Sequence, residues 1–160
     1  LRNSMKVLAS ETFTSVSAPI QHAAVVAYEK DMSKYINSSR NILKNVGEYV
    51  YDNLRSNKVL ISKPQGGFYL MPEFLDKKFQ TSEAMCKDLL NNTGVVLLPG
   101  SDFGILKNKM IARLSFTDFN GEDFMKNVLN NENINLDIIV KFAPKIVEGT
   151  KRLKDWVKFN

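Results

Sequence analysis

The residue in this sequence best suited to bind an anion is an arginine within an apolar run. Arg113 lies in the segment Ala112-Arg113-Leu114-Ser115-Phe116, which predicts a β-strand. Its guanidinium group has a rigid planar fork that matches both oxygens of a carboxylate, so an arginine in apolar surroundings indicates an anionic partner. Two partners remain open from the residues alone: the carboxylate of a bound molecule, or an internal carboxylate such as Asp118 or Asp102.

A pair of glycines followed by a pair of aromatic residues forms a second candidate, at Gly66-Gly67-Phe68-Tyr69. Glycine tolerates positive φ and lets a backbone approach a ligand closely, but the same two glycines also suit a plain tight turn. Phe68 and Tyr69 alternate along the predicted strand, so only one of the two rings can face a cleft. The residues alone do not decide which one.

Two further segments carry groups that could contact a ligand. The segment Pro99-Gly100-Ser101-Asp102-Phe103-Gly104 follows an apolar run and predicts a loop at the end of a strand. The hydroxyl groups of Thr12, Thr14, Ser15 and Ser17 precede a predicted helix, where they could meet an anion. Helix capping alone explains Ser17.

The sequence offers little for metal or thiol chemistry. His22 is its only histidine and Cys86 its only cysteine, so a typical zinc site and an intramolecular disulfide are both excluded. Cys86 lies in a predicted helix as a small buried side chain, without the basic neighbours that activate a thiolate. The absence of disulfides fits a reducing compartment, and we expect a cytoplasmic protein.

Composition and charge narrow the range of partners. The 160 residues are 44% hydrophobic and 24% charged, which suits one domain with a single core. No apolar run approaches the ~20 residues that span a bilayer, and the first residues do not resemble a secretory signal. The net charge is +5, but the basic residues are spread along the chain instead of forming a stripe. We therefore expect neither a membrane nor a nucleic acid as partner.

The first third of the chain is predicted to be mostly helical, after an irregular segment at residues 1–16. A helix begins at Ser17, a residue type that caps helices, and has Pro19 in its first turn. This helix is interrupted or restarted at residues 31–33. A second helix, with apolar residues three and four positions apart, ends at Asn57.

The rest of the chain is predicted to alternate strands and helices. The predicted strands are 59–62 and 67–71, paired as a hairpin through a turn at 64–67, and then 95–98 and 111–116. The predicted helices are 82–92, capped by Ser82 and ended by Gly94, a short one after Asn120, and 136–157, which Pro144 kinks or splits. This order predicts an α+β fold in which a small, mostly antiparallel sheet is covered by helices on one face.

Four segments together resemble the class I/II, fold-type-I aminotransferases of the aspartate aminotransferase kind. They are SETFTSVSAPIQ at 10–21, KPQGGFYL at 63–70, GVVLLPGSDFG at 94–104 and ARLSF at 112–116. Each segment is unspecific alone, and their order and spacing carry the resemblance. It covers residues 8 to about 130, and the chain as a whole is similar to the C-terminal, smaller domain of such an enzyme.

The resemblance implies an enzyme that depends on pyridoxal 5′-phosphate and moves an amino group between an amino acid and a 2-oxo acid. Arg113 resembles the family arginine that binds the α-carboxylate of the substrate, and Gly67 and Phe68 match a strand near the bound amino acid. The loop at 99–104 is implied to pack near Arg113. The segment before the first helix is implied to lie near a dimer contact, so a homodimer is expected.

The resemblance also implies that residues 1–160 are one domain at the C-terminal end of a longer chain. Residues 1–16 would be an interdomain segment, and the large domain would be the partner that carries the cofactor lysine. In the family this lysine lies in a Ser-x-x-Lys segment followed by a glycine and an arginine. Ser33-Lys34 and Ser62-Lys63 do not match that pattern. We therefore expect this fragment alone to be inactive and not to hold the cofactor covalently.

Two other functions remain compatible with the same residues. A pyridoxal-phosphate lyase of the same fold type would use the same arginine. A non-enzymatic sensor domain of a transcription regulator would keep the fold without the chemistry, because fold alone does not determine function.

Overall fold

The computed structural model describes residues 1–13, 15–75, 78–129 and 133–159. These residues form two compact units, Leu1–Ile36 and Asn37–Asn160. The prediction that the whole chain is one domain of a longer protein, entered through residues 1–16, stays a prediction.

The first unit contains two helices, α1 at Arg2–Thr12 and α2 at Ala18–Glu29. The prediction that residues 1–16 are irregular is wrong: this stretch contains neither glycine nor proline, and α1 includes the helix-favouring residues Met5, Lys6, Leu8, Ala9 and Glu11. Ser17 is the N-cap residue of α2 and a proline lies in its first turn, as predicted, but the Ser17 side chain makes no capping hydrogen bond. The side-chain amide of Gln21 donates instead to the carbonyl of Val16 at 2.8 Å.

Neither α1 nor α2 buries a residue within this chain. Large apolar side chains of this unit are exposed on both helices and between them, among them Met5, Leu8, Phe13, Val16, Ile20, Val26 and Tyr28. So many exposed large apolar side chains in one short segment are typical of a contact surface for another protein segment.

The long helix α3 extends over Ser33–Leu54, so the predicted restart at residues 31–33 is confirmed. The carboxylate of Asp31 accepts a hydrogen bond from the backbone N–H of Ser33 at 2.9 Å, which satisfies a donor of the first turn. The helix ends at Leu54, three residues before the predicted end at Asn57. Its buried apolar residues recur every four positions, at Ile42, Val46, Val50 and Leu54.

Five short strands form two antiparallel sheets in the described residues: β1 Val59–Leu60, β2 Tyr69–Leu70, β3 Glu73–Phe74, β4 Leu98–Pro99 and β5 Ala112–Ser115. β1 pairs with β3, and β5 lies between β2 and β4. The predicted hairpin between 59–62 and 67–71 is therefore wrong. Pro72 separates β2 from β3 because it has no N–H to donate, although its carbonyl accepts from Ala112 at 3.1 Å.

The sheet around β5 has one buried and one open face. Ala112 and Leu114 are buried, whereas Arg113 is half-buried and Ser115 is exposed. The predicted strand at 111–116 is thus confirmed in its central part. The predicted buried strand at 95–98 is reduced to β4, because Val96 is 67% exposed and only Leu98 pairs with β5.

The remaining helices are α4 Ser82–Thr93, α5 Gly121–Val128, α6 Leu136–Phe142 and α7 Pro144–Phe159, with a 3₁₀ turn at Gly100–Phe103. Thr81, not Ser82, caps α4, and Gly94 ends that helix in the left-handed conformation, as predicted. Asn120 caps α5 as predicted, and Pro144 splits the last helical segment. The α+β fold class with a small antiparallel sheet is confirmed.

A close approach at Gly47 determines how near α3 lies to the core. A Cβ atom added at Gly47 would lie 2.9 Å from Cζ of Phe116 and 3.3 Å from Cγ of Pro64. Phe116 is fully buried, so its ring has little room to move aside. Only glycine allows this spacing.

We expect Gly47→Ala to lower the free energy of unfolding. Overpacking a dense core costs ~1–3 kcal/mol, which exceeds the ~1 kcal/mol that alanine gains over glycine in a helix. Gly149→Ala is the matched control, because a Cβ there would meet Val95 at an ordinary 3.9 Å. Urea unfolding should show a lower midpoint for Gly47→Ala and a higher one for Gly149→Ala; a rise in both would contradict the close contact at Gly47.

Candidate functional site

The guanidinium group of Arg113 lies close to two aromatic rings. Its Cζ atom is 4.4 Å from the ring centroid of Tyr69 and 4.1 Å from that of Phe103, both within cation–π range. Arg113 comes from the central strand β5, Tyr69 from the neighbouring strand β2, and Phe103 from the 3₁₀ turn after β4. Three separate elements therefore build this site on the open face of the sheet.

The 3₁₀ turn that carries Phe103 is fixed to the start of β5. The backbone N–H of Gly100 donates to the carbonyl of Ile111 at 2.7 Å, and that of Ile105 donates to the carbonyl of Gly100 at 3.2 Å. A Cβ atom at Gly100 would lie 2.9 Å from the Ile111 carbonyl oxygen, so this approach requires glycine. Gly104 ends the turn with φ of 80°.

Two side-chain hydrogen bonds also connect the same 3₁₀ turn to the first turn of α4. The hydroxyl of Ser101 donates to Glu83 Oε1 at 2.8 Å, and Ser82 Oγ lies 3.3 Å from Ser101 Oγ. The pKa of Glu83 is lowered, first by a hydrogen bond from its own backbone N–H and then by that of Ser101. The carboxylate thus stays ionised and keeps accepting from the turn at neutral pH.

Among the described residues, no carboxylate lies within ion-pair distance of Arg113. Asp118 accepts a hydrogen bond from Lys145 at 3.2 Å instead. Asp102 is exposed in the 3₁₀ turn and forms no ion pair with any described residue. The internal ion pair with Asp118 or Asp102, which the residues alone left open, is not formed. The cation is contacted by two rings and is half-buried.

The glycine–aromatic segment has a defined geometry beside this site. Gly67 has φ of 70°, and an added Cβ would meet nothing within 4 Å, so its backbone conformation rather than close packing favours glycine. Tyr69 contacts Arg113, and the Phe68 ring lies against Tyr69 with centroids 4.3 Å apart. The prediction that Gly67 and Phe68 line a substrate site stays a prediction.

The other polar candidates have local explanations. The hydroxyl of Thr12 donates to the carbonyl of Leu8 at 2.8 Å within its own helix, and His22 is exposed on α2. Thr14 lies outside the described residues. No cluster of three or more potential metal ligands occurs in the described part of the chain.

The lysines do not form a covalent cofactor site in the described residues. Every lysine there is exposed, whereas a lysine that attacks a carbonyl group needs a lowered pKa from desolvation or a neighbouring cation. Lys63 shows the opposite: a hydrogen bond and the charge of Glu48, 2.9 Å away, raise its pKa. The residues present thus do not fit covalent attachment of pyridoxal phosphate.

An apolar cavity of about 660 Å³ lies elsewhere in the second unit. It is lined by residues 94–97, by the buried residues Leu114 and Phe116, and by α7. Arg113 and its two rings do not line it, so this cavity is separate from the arginine site.

Comparison with known proteins points to one family. Residues 1–125 match the family described as aminotransferase class I and II. The chain is 30% identical over 118 residues to an aspartate aminotransferase of Sulfolobus acidocaldarius, a match that covers 70% of this chain and 28% of that enzyme. It is 41% identical over 70 residues to a probable N-acetyl-LL-diaminopimelate aminotransferase of Bacillus subtilis, covering 43% of this chain and 17% of that protein.

Solved structures share the fold. An aromatic aminotransferase from Pyrococcus horikoshii matches with a TM-score of 0.69 at 22% identity, over 94% of this chain and 34% of that one. An aspartate aminotransferase from Thermotoga maritima matches with a TM-score of 0.62 at 22% identity, over 94% and 31%. The chain spans about a third or less of the relatives it matches. No helix in the described ranges has both the length and the hydrophobicity needed to cross a membrane.

Cys86 is buried in α4, which confirms the prediction of a small buried side chain. Burial raises the pKa of its thiol to about 11, with smaller contributions from the negative charges of Asp102 and Glu83. The thiol is therefore protonated at neutral pH and is not an activated nucleophile.

The raised pKa of Cys86 predicts a pH-dependent loss of stability. In the unfolded chain the thiol ionises near its ordinary pKa of 9.0, whereas the folded chain holds the proton up to about 11. Stability from this group is complete below pH 9 and is lost as pH rises towards 11. Urea unfolding should show the wild type losing stability over this interval faster than Cys86→Ala; parallel curves would contradict the burial effect.

Removing the charge of Arg113 should change stability little. In Arg113→Met, an aliphatic chain of similar length replaces the guanidinium, and the lost ring contacts are worth about 0.5–1 kcal/mol at a partly exposed site. A broken buried ion pair would instead cost ~3–5 kcal/mol. Urea unfolding of the 160-residue chain distinguishes the two cases, and a loss in the larger range would show that Arg113 has an internal carboxylate partner.

Proposed function

Since this chain belongs to the class I and II aminotransferase family, we propose that it is the part of a pyridoxal-phosphate-dependent aminotransferase that binds the substrate's α-carboxylate through Arg113. The complete enzyme would transfer an amino group between an amino acid and a 2-oxo acid. The observation that carries this proposal is a half-buried guanidinium within cation–π range of two aromatic rings and with no carboxylate partner in the described residues.

The geometry suits a carboxylate ligand for physical reasons. Guanidinium donors lie in the plane of the group and meet two carboxylate oxygens at once, which fixes both distance and orientation. Arg113 has two ring contacts and no carboxylate partner in the described residues, so its in-plane donors are not paired with a carboxylate there. Binding the carboxylate in one orientation would hold the substrate's α-carbon at a fixed place, which lowers the entropic part of the barrier.

Pyridoxal phosphate, when bound in the complete enzyme, supplies an electron sink for bond breaking at the substrate's α-carbon. We propose that it is held mainly by a large domain outside this chain, because the described residues lack a suitable lysine. The share of this chain would be to bind the carboxylate and to exclude water when it closes over the substrate.

The proposed partners are that large domain and a second copy of the complete protein. Two observations support a further protein surface: the chain spans 28% of its Sulfolobus relative, and α1 and α2 bury none of their apolar residues within the chain. Apolar faces of this kind become stable when another protein segment covers them.

In the complete enzyme, Arg113→Lys should lower kcat/KM for the amino acid roughly tenfold to more than a hundredfold. Lysine keeps the charge but loses the two-pronged geometry, and a charge-assisted hydrogen bond is worth ~1.5–3 kcal/mol at ~1.4 kcal/mol per decade. Steady-state kinetics with an amino donor and a 2-oxo acid acceptor measure this, and formation of the new amino acid distinguishes an aminotransferase from a lyase.

The matched control is Arg55→Lys, because the Arg55 side chain is 60% exposed and its partners Asp52 and Tyr51 belong to the same helix. That variant should keep the wild-type kcat/KM. If Arg113→Lys also keeps kcat/KM while its unfolding midpoint drops sharply, Arg113 is a structural residue and the carboxylate assignment fails.

A further inference from the structure

We propose that Tyr69 and Phe103 act as positioning residues that clamp the guanidinium of Arg113 and thereby set its affinity for a carboxylate. This inference rests on the proposed function of Arg113 and adds two residues to it. Neither ring needs to touch the substrate, since each acts through the arginine.

The clamp would restrict the mobility that the Arg113 side chain has because of its position in the sheet. Arginine has a long side chain with about 2 kcal/mol of rotamer entropy, and no hydrogen bond or ion pair to the described residues restrains that of Arg113. Ring centroids at 4.4 Å and 4.1 Å restrict the guanidinium through two contacts. A guanidinium already held in one plane loses less freedom when a ligand binds.

Aromatic rings restrain the cation without using its hydrogen-bond donors. The five N–H groups of a guanidinium point outward in its plane and are the donors for a carboxylate, whereas an aromatic ring attracts the cation through its own π-face. An aspartate in the position of Phe103 would also hold the arginine, but it would occupy the donors that a ligand carboxylate needs. Two rings are therefore the arrangement that positions Arg113 and leaves it free to bind an anion.

Both rings are themselves held by the fold. Tyr69 belongs to β2, where it pairs with Ser115 of the same strand that carries Arg113. Phe103 ends a turn that is fixed to Ile111 through Gly100 and to Glu83 through Ser101. The distance between the two rings is thus set by the sheet register and by the turn, not by the arginine.

The other cation–π contacts of the described residues lack this geometry. Arg55 lies 5.2 Å from the ring of Tyr51 one helical turn away, and Lys141 lies 5.1 Å from the adjacent ring of Phe142. Each has one ring, is local in sequence and is longer. Arg113 instead has two rings, at 4.4 Å and 4.1 Å, and both come from distant segments.

The clamp can be observed without substrate or cofactor. Protons over the face of a ring are shielded, so the Hε resonance of Arg113 should be shifted upfield in the NMR spectrum of the 160-residue chain, with Arg113→Lys giving its assignment. Phe103→Leu should move this resonance back towards the ordinary arginine position, and Phe103→Tyr should keep it upfield. An Hε resonance at the ordinary position in the wild type would overturn the clamp.

Its effect on binding is tested in the complete enzyme. The probes are the amino acid that a screen of the common twenty shows to be bound best, and the amine made from it by removing the α-carboxylate. Phe103→Leu and Tyr69→Leu should each raise the Kd for the amino acid about twofold to thirtyfold, the range of a cation–π contact, and leave that for the amine unchanged. Phe103→Tyr and Tyr69→Phe should keep the wild-type Kd for the amino acid, because each retains an aromatic ring.

Two controls distinguish an effect of the rings through Arg113 from an effect that is independent of Arg113. Phe159→Leu removes a ring that is 88% exposed at the end of α7 and should leave both Kd values unchanged. In an Arg113→Met background, which has no cation for the ring to hold, Phe103→Leu should have no further effect on amino-acid binding. A full additional loss there, or an equal loss for the amine, would mean that the ring acts independently of the arginine and would overturn the positioning role.

If Arg113→Lys binds the amino acid as tightly as the wild type, the proposed function fails, and the positioning role fails with it. If Arg113→Lys loses binding while both leucine variants keep it, the carboxylate assignment survives and the clamp is overturned.

Discussion

The pairing of β5 on both of its edges is the constraint on which the rest of the second unit depends. Antiparallel pairing of β5 with β2 and β4 directs Ala112 and Leu114 into the core. The alternation of a strand then places Arg113 on the open face. A slip of one residue would bury the cation and expose the core residues, so the free energy that stabilises the core also fixes the orientation of Arg113.

Two glycines let other segments approach the two ends of this strand. At one end Gly100 brings the 3₁₀ turn against Ile111, and at the other Gly47 brings α3 against Phe116. The first approach places Phe103 beside Arg113, and the second closes the core beneath the sheet. The arginine site is thus a consequence of how tightly β5 is packed, and no strained backbone is needed to form it.

The sequence alone was sufficient to predict features that depend on residues close together in the chain. The cap at Asn120, the helix end at Gly94 and the break at Pro144 follow from local hydrogen bonds and sterics, and all three are confirmed. Features that depend on distant partners could not be predicted. One such feature is the pairing of β2 with β5, in place of the predicted hairpin before Pro72. Another is that Tyr69 is the ring that contacts Arg113. Both features depend on pairing with β5.

The absence of an internal counterion, within the described residues, is the strongest physical link between this fold and the proposed carboxylate binding. Some other cations of the described residues form ion pairs, as Lys145 with Asp118 and Arg152 with Glu148. A ligand that bound such a cation would first have to displace a carboxylate, and most of its binding free energy would be lost in the exchange. At Arg113, rings and water stabilise the charge instead, since the residue is only half-buried. An incoming carboxylate would displace water alone, and closure of a second domain over the site would then strengthen the new ion pair by lowering the local dielectric constant.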